Sequence, residues 1–346
     1  MPGPAAGAID AGTGAGHHRQ GGAGMSNVIS LFASTGKTRV QANPTRPNDT
    51  YPVRVLEMGA PTTFEDGRTG KWIWLGNWKH TAQVIQYDPW EKEGYQGDAL
   101  VPQACYAVGF ALSSDPLQPS KPLVLRQAMP IDADTQGAHL IPRNWAINPA
   151  DLIRLVQVID SITHPGLNAF ANAVLADPAV AYPYVRIGAS QIYHHNVPGG
   201  LLSHSLDVVD MALGLRVHRN PTERDLLVIG GLFHDLAKVR VYSSEGHYTD
   251  TGRTAHHDTL TPELVAPNLW MLDDNLADMV RHLLYRGNKQ QQYPNSLLRE
   301  ALIHADALSA AKDGERQAFA DRPHWHHQAK DPQDRRWMRW VSDQSV

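Results

Sequence analysis

The sequence predicts an α+β chain in which a small β-rich unit precedes an all-α unit. Residues 49 to about 132 break into short runs of β-branched, aromatic and apolar residues: "YPVRVLEM", "KWIWLGNW", "TAQVIQYD", "ACYAVGFAL" and "KPLVLRQAM". Turn signals such as "GAPTTFEDGRTG" separate them. From "NPADLIRLVQVIDSI" onward the apolar spacing becomes helical. With 346 residues, the chain can give each unit its own core.

Taken in order, residues 1–48 read as a disordered segment, because the Gly/Ala-rich start "MPGPAAGAIDAGTGAGHHRQGGAG" cannot bury a core. It lacks the apolar stretch of a signal peptide, and Met25 reads as an alternative start. Residues 49–135 suit a small barrel or sandwich, including an OB-type barrel. Trp72, Trp74, Trp78 and Trp90 cluster there. Exposed, they would form a stacking platform for bases; the stronger expectation is that Trp72 and Trp74, flanking Ile73, fill the core. Residues 136–312 form the helical unit, opened by Asn148 as N-cap, Pro149 at the first helical position and Asp151 in the first turn. Helical patterns recur at 167–176, 200–216, 223–239, 260–286 and 295–312. Residues 313–346 form a charged and aromatic tail in which His324, His326 and His327 read as surface.

Composition sets limits. Hydrophobic residues make up 42% and charged residues 19%, an ordinary globular balance. A net charge of -4 means that any nucleic-acid contact needs a local basic surface. The single cysteine, Cys105, excludes an intrachain disulfide and fits a reducing cytoplasm. No apolar run approaches the ~20 residues of a membrane span. Nothing in the sequence fixes an oligomeric state.

The chemistry is concentrated in the helical unit. The helix that starts near Gly200 carries Leu202, Leu206, Val209 and Leu213 as one apolar stripe. His204 lies about 160° away from Leu206 and needs a polar explanation. In "ERDLLVIGGLFHDLAKV", a helix apolar almost all round from Leu226 to Phe233 ends in His234, Asp235 and, one turn on, Lys238. A carboxylate there is costly unless it is paired or bound to a cation. Asp306 likewise interrupts the apolar helix "SLLREALIHADALSAA". His204, His234, Asp235 and Asp306 together offer two imidazoles and two carboxylates, a donor set suited to a divalent metal such as Mn, Mg, Fe, Co or Zn. In "HHNVPGG", His194 and His195 precede a Pro-Gly-Gly break; Gly199 and Gly200 would free N–H groups at a helix start, a place that favours phosphate.

The ordered series "HHNVPGGLLSHSLDV", "GLFHDLAKV", "YTDTGRTAHH", "VRHLL" and "EALIHADALSA" resembles the HD phosphohydrolase superfamily over about residues 186–312. Within it, the series is similar to two branches: the 3′-to-5′ exoribonucleases that join an OB-fold to an HD domain, and the TraI-type domain of MobH conjugative relaxases. The resemblance implies His204, His234, Asp235 and Asp306 as metal ligands and Lys238 as a phosphate-facing lysine. It places His194 and His195 near the metal or the scissile phosphate. His257 and His282 match positions of second-metal ligands in binuclear members. "YRG" at 285–287 departs from the exoribonuclease pattern and counts against a second metal.

The expected function is therefore metal-dependent phosphoester hydrolysis. Asp235 would ligate the metal and orient or deprotonate water, while Lys238 and His195 neutralise charge developing on the phosphate. By resemblance the substrate is single-stranded nucleic acid, RNA or DNA. The alternatives are a nucleotide phosphohydrolase, a relaxase-related DNA-processing protein of a mobile element, and a non-catalytic HD scaffold.

Overall fold

The computed structural model describes residues 50–88, 96–111, 123–285 and 294–340. The expected disordered segment 1–48 and Trp90 lie outside them. Five strands form the first unit: β1 (Tyr51–Met58), β2 (Thr69–Gly76), β3 (Thr81–Asp88), β4 (Cys105–Ala111) and β5 (Leu123–Pro130). They pair in the order β1-β2-β3-β5-β4 and close back onto β1. Only the β3–β5 pairing is parallel. The result is a five-stranded OB-like barrel. Its interior is filled by alternate residues, among them Val53, Val55, Ile73, Leu75, Val84 and Val108.

That alternation corrects the expectation for the tryptophans. Ile73 takes the inward position, so Trp72 and Trp74 on either side of it point outward. Trp72 is half-buried and meets Phe64 edge-on at 5.6 Å. Trp74 is 39% exposed. Trp78 packs instead against the core of the helical unit.

Barrel and helices are tied together by Arg54, which is only 2% exposed. Its guanidinium donates to three carbonyls: Leu140 O at 3.3 Å, Gln103 O at 2.9 Å and Ala176 O at 2.8 Å. Arg54→Met keeps the apolar stem and orphans these acceptors. It should lower the unfolding free energy by about 3 kcal/mol, since each unsatisfied buried group costs roughly 1–3 kcal/mol. Chemical denaturation measures this, and an unchanged midpoint would mean that water replaces the guanidinium without loss.

The helical unit consists of α1 (Pro149–Asp160), α2 (Pro165–Ala176), α3 (Pro178–Tyr184), α4 (Gly200–Gly214), α5 (Pro221–Phe233), α6 (Lys238–Val241), α7 (Asp250–Thr254), α8 (His257–Val265), α9 (Asp274–Leu284) and α10 (Leu297–Phe319). Asn148 caps α1 through Ala150 N. Two expected helices are broken. The stretch 260–286 divides because Pro267 lies in a 3₁₀ segment, Ala266–Met271, and Asp273 then caps α9 afresh through Leu276 N. The stretch 223–239 divides at His234–Ala237, where the turn tightens through Leu236 N to Phe233 O and Lys238 N to Asp235 O. No helix among the described residues is long and apolar enough to cross a membrane.

α5 is the buried axis, with α4 and α10 packed against it. Two glycines set the spacing. A β-carbon on Gly231 would lie 3.0 Å from the Cα of Val209 on α4, and one on Gly230 would collide with the Leu302 side chain of α10. The absence of side chains there lets three helices meet one turn before His234. α10 continues through the expected tail boundary at 313 and ends at Phe319. A hairpin of β6 (Gln328–Lys330) and β7 (Arg336–Met338) then folds back onto it.

Candidate metal centre

Four residues from separate parts of the helical unit converge. His204 comes from the second turn of α4, His234 and Asp235 from the break after α5, and Asp306 from the middle of α10. One ligating atom of each lies within 4.8 Å of all the others. His204 Nε2 is 3.0 Å from Asp306 Oδ1, 3.2 Å from His234 Nε2 and 3.6 Å from Asp235 Oδ2. His204, His234 and Asp235 are buried, and Asp306 is half-buried.

The remaining ring nitrogens are anchored. His204 Nδ1 lies 2.9 Å from Ser309 Oγ, and His234 Nδ1 lies 2.9 Å from the carbonyl oxygen of Gly231. The latter contact requires a proton on Nδ1, which leaves His234 Nε2 with a lone pair toward the cluster. Two imidazole nitrogens 3.2 Å apart, with carboxylate oxygens around them, form a set of donors wanting a cation. The strongest single sign is Asp235 Oδ1, which is buried and makes no hydrogen bond. Lys238 Nζ donates to Oδ2 of the same carboxylate at 2.6 Å. Burial works to raise the Asp235 carboxyl, but Lys238 and the two imidazoles hold it well below the usual carboxylate range. It is therefore an ionised oxygen donor set inside an apolar core, and the residues fit a divalent metal.

The other expected residues divide. His194 is half-buried, with its ring 5.0 Å from that of His204. His195 sits in the left-handed region, φ 47°, and its N–H donates to Asp313 Oδ2 at 2.6 Å. Its Nε2 lies 3.4 Å from Ser309 Oγ and 3.9 Å from Asp207 Oδ2. Both loop imidazoles thus lie beside His204, the His195 ring at 5.3 Å, and His195 is the one tied through Asp313 and Ser309. His257 Nε2 lies 3.2 Å from Asp235 Oδ1 and 3.4 Å from Asp258 Oδ1. His256, His257 and Asp258 form a second group of metal-type donors. His282 is not brought to either group; its Nε2 meets Ser296 Oγ at 3.1 Å. Lys238 is engaged with Asp235 rather than presented freely to a phosphate.

Sequence reasoning passed over Ser309, Asp313 and Asp207. A signal was present: Asp306, Ser309 and Asp313 follow i, i+3, i+7 spacing on one face of α10, and His204 and Asp207 are i, i+3 on α4.

Burial, reinforced by His204 and Lys238, pushes the His194 imidazole down from its ordinary 6.5 to about 4, and burial also lowers His195. Between those two values the unfolded chain binds a proton that folded His194 refuses. The metal-free protein should therefore lose stability as the pH falls from about 6.5 toward about 4, with no further loss from this group below that. Asp235 and Asp313, held low, contribute stability that disappears only below their ordinary 3.8. Urea midpoints at pH 7 and pH 5 check this; equal midpoints contradict it.

Residues 201–311 match the HD domain family. A dihydroneopterin 2′,3′-cyclic phosphate phosphodiesterase from Methanocaldococcus jannaschii is 23% identical over 169 residues, covering 44% of this chain and 66% of the relative. The chain thus spans just under two thirds of that relative's length. No solved structure matches the chain. The matched HD segment contains all four converging residues and ends in α10 five residues beyond Asp306, short of Asp313.

Proposed function

We propose that this protein is an HD-type, metal-dependent phosphodiesterase acting on single-stranded nucleic acid. The observation that carries the reading is the convergence of His204, His234, Asp235 and Asp306, two imidazoles and two carboxylates whose ligating atoms lie within 4.8 Å of one another. The HD domain match and the phosphodiesterase named among its relatives support hydrolysis of a phosphoester. A divalent ion held by these four residues would acidify a bound water and polarise the phosphoryl oxygens. Lys238 keeps Asp235 ionised and fixed in orientation. His194, neutral near pH 7, stands close enough to His204 to donate to or accept from a substrate oxygen at the mouth of the cluster. His195 holds the loop through Asp313 and Ser309. A scaffold without chemistry has no physical need to gather two imidazoles and two carboxylates inside apolar helices.

The strand as substrate is supported by the outward Trp72 and Trp74 on β2, where stacking is worth ~1–3 kcal/mol per base. A second reading, a small cyclic phosphate, is favoured by the relative's name. Stripping the protein with chelator and restoring Mn, Mg, Fe, Co or Zn singly, on single-stranded RNA, single-stranded DNA, nucleotides and a cyclic phosphodiester, tests the reaction. Hydrolysis should depend on added metal; a rate indifferent to chelation sinks the reading. Trp74→Ala separates the substrates: it should weaken a long strand about fivefold or more and leave a cyclic phosphate unaffected.

A further inference from the structure

The C-terminal hairpin plays no part in the metal cluster, yet it is built against the same elements. Its inner face places Ala329 beside Trp337, and Trp337 packs over Gly314 of α10. Gln333, in its turn, donates to the carbonyl oxygen of Ile192 at 2.5 Å, two residues before His194. The hairpin is thus fixed both to the helix that carries Asp306 and to the loop that carries His194 and His195.

Its outer face is chemically odd. Lys330 and Arg336 are cross-strand partners near the turn, followed by Met338 and Trp340 on the same side. Met338 is 74% exposed and Trp340 is 86% exposed. Residues 321–340 hold five lysines and arginines against three aspartates, a net +2 in a chain of net -4. Lys330 pairs with Asp334 and Arg335 with Asp331, whereas Arg336 has no ion pair among the described residues. A bare indole on the same face as an unpaired guanidinium matches the two things a single strand offers, flat bases and phosphates. An apolar protein partner would have no use for the cation; a lipid surface asks for roughly four to eight available basic residues, whereas of the five here Lys330 and Arg335 are held by Asp334 and Asp331, and Arg339 by the carbonyls of His326 and Pro323.

We infer that the outer face of this hairpin, through Arg336 and Trp340, is a stacking platform that receives single-stranded nucleic acid running away from the metal cluster. The inference rests on the reading that a phosphodiester strand is the substrate. From Arg336 to Trp340 the chain covers about 13 Å at ~3.3 Å per residue, the length of about four stacked bases at ~3.4 Å each. A strand shorter than that cannot reach both ends.

The test is fluorescence anisotropy of labelled single-stranded RNA and DNA, 12-mer and dinucleotide, with the full chain in chelator so that nothing is cleaved. Trp340→Ala is a surface change on the proposed face and Trp325→Ala one off it, and circular dichroism checks that both fold. Trp340→Ala should weaken the 12-mer by about 5- to 100-fold and leave the dinucleotide unchanged, whereas Trp325→Ala should leave both unchanged. Arg336→Gln should reduce the slope of log affinity against log salt by about 0.7. The inference is overturned if wild type and variants bind the 12-mer alike, if the wild type binds no strand, or if the wild type is a dimer that Trp340→Ala dissociates. Metal-dependent hydrolysis of bis(p-nitrophenyl) phosphate by the wild type, run in parallel, keeps the two readings apart. Hydrolysis without hairpin-dependent binding defeats the platform alone, and hairpin-dependent binding without hydrolysis under any metal defeats the hydrolase alone.

Discussion

Asp235→Asn is expected to reduce phosphodiester hydrolysis by on the order of 10³-fold, because the metal's contribution to the transition state is several kcal/mol. The substitution is chosen from the geometry. Asp235 Oδ2 accepts from Lys238 Nζ at 2.6 Å, and that lysine is 5% exposed. Asparagine retains an acceptor for the ammonium while removing the negative charge that the cluster offers to a cation. Alanine would instead strand Lys238 in the core, and breaking a buried pair costs about 3–5 kcal/mol. Asp235→Ala should therefore lose activity partly by unfolding. Three measurements decide the matter: kcat/KM on a phosphodiester, metal content after dialysis, and Tm. A variant that folds like wild type, retains its metal and hydrolyses at the wild-type rate removes Asp235 from the chemistry.

Gly231→Val should damage both stability and the site without touching a single candidate ligand. Valine adds bulk where even a first β-carbon would press on the Val209 backbone, and backbone cannot rotate away. Overpacking of this kind costs typically 1–3 kcal/mol. The helix propensity gained on leaving glycine returns less than about 1 kcal/mol. If α4 is levered off α5, His204 moves away from His234, and metal affinity should fall by at least about tenfold, the lower end of what displaced supporting contacts cost. Gly230→Ala provides the contrast, since it meets only the end of the Leu302 side chain, which can rotate. Calorimetric titration with Mn²⁺ and a thermal melt read both effects. Normal affinity and normal melting in Gly231→Val would show that helix approach does not set the cluster.

The sequence by itself determined the change from strand to helix periodicity near residue 148, the cap at Asn148, and the four side chains whose charge or polarity had no place on apolar helices. These are local properties: a residue's period, its cap and its cost of burial depend on neighbours within a few positions. It did not determine which tryptophans face the barrel's interior, because alternation says only that Ile73 and its neighbours face opposite ways, and closure of the ring chooses between them. Nor did it reveal the breaks at His234–Ala237 and Ala266–Met271 or place His282 against Ser296. The support of the cluster by Ser309 and Asp313 was written in a helical spacing that had meaning only once α10 was known to run past residue 312. Above all, tertiary structure decided that His204 and Asp306, 102 positions apart, come to 3.0 Å. That distance depends on how closely three helices can pack. Two glycines that contribute no chemistry permit the approach, and only the packed structure shows what they face.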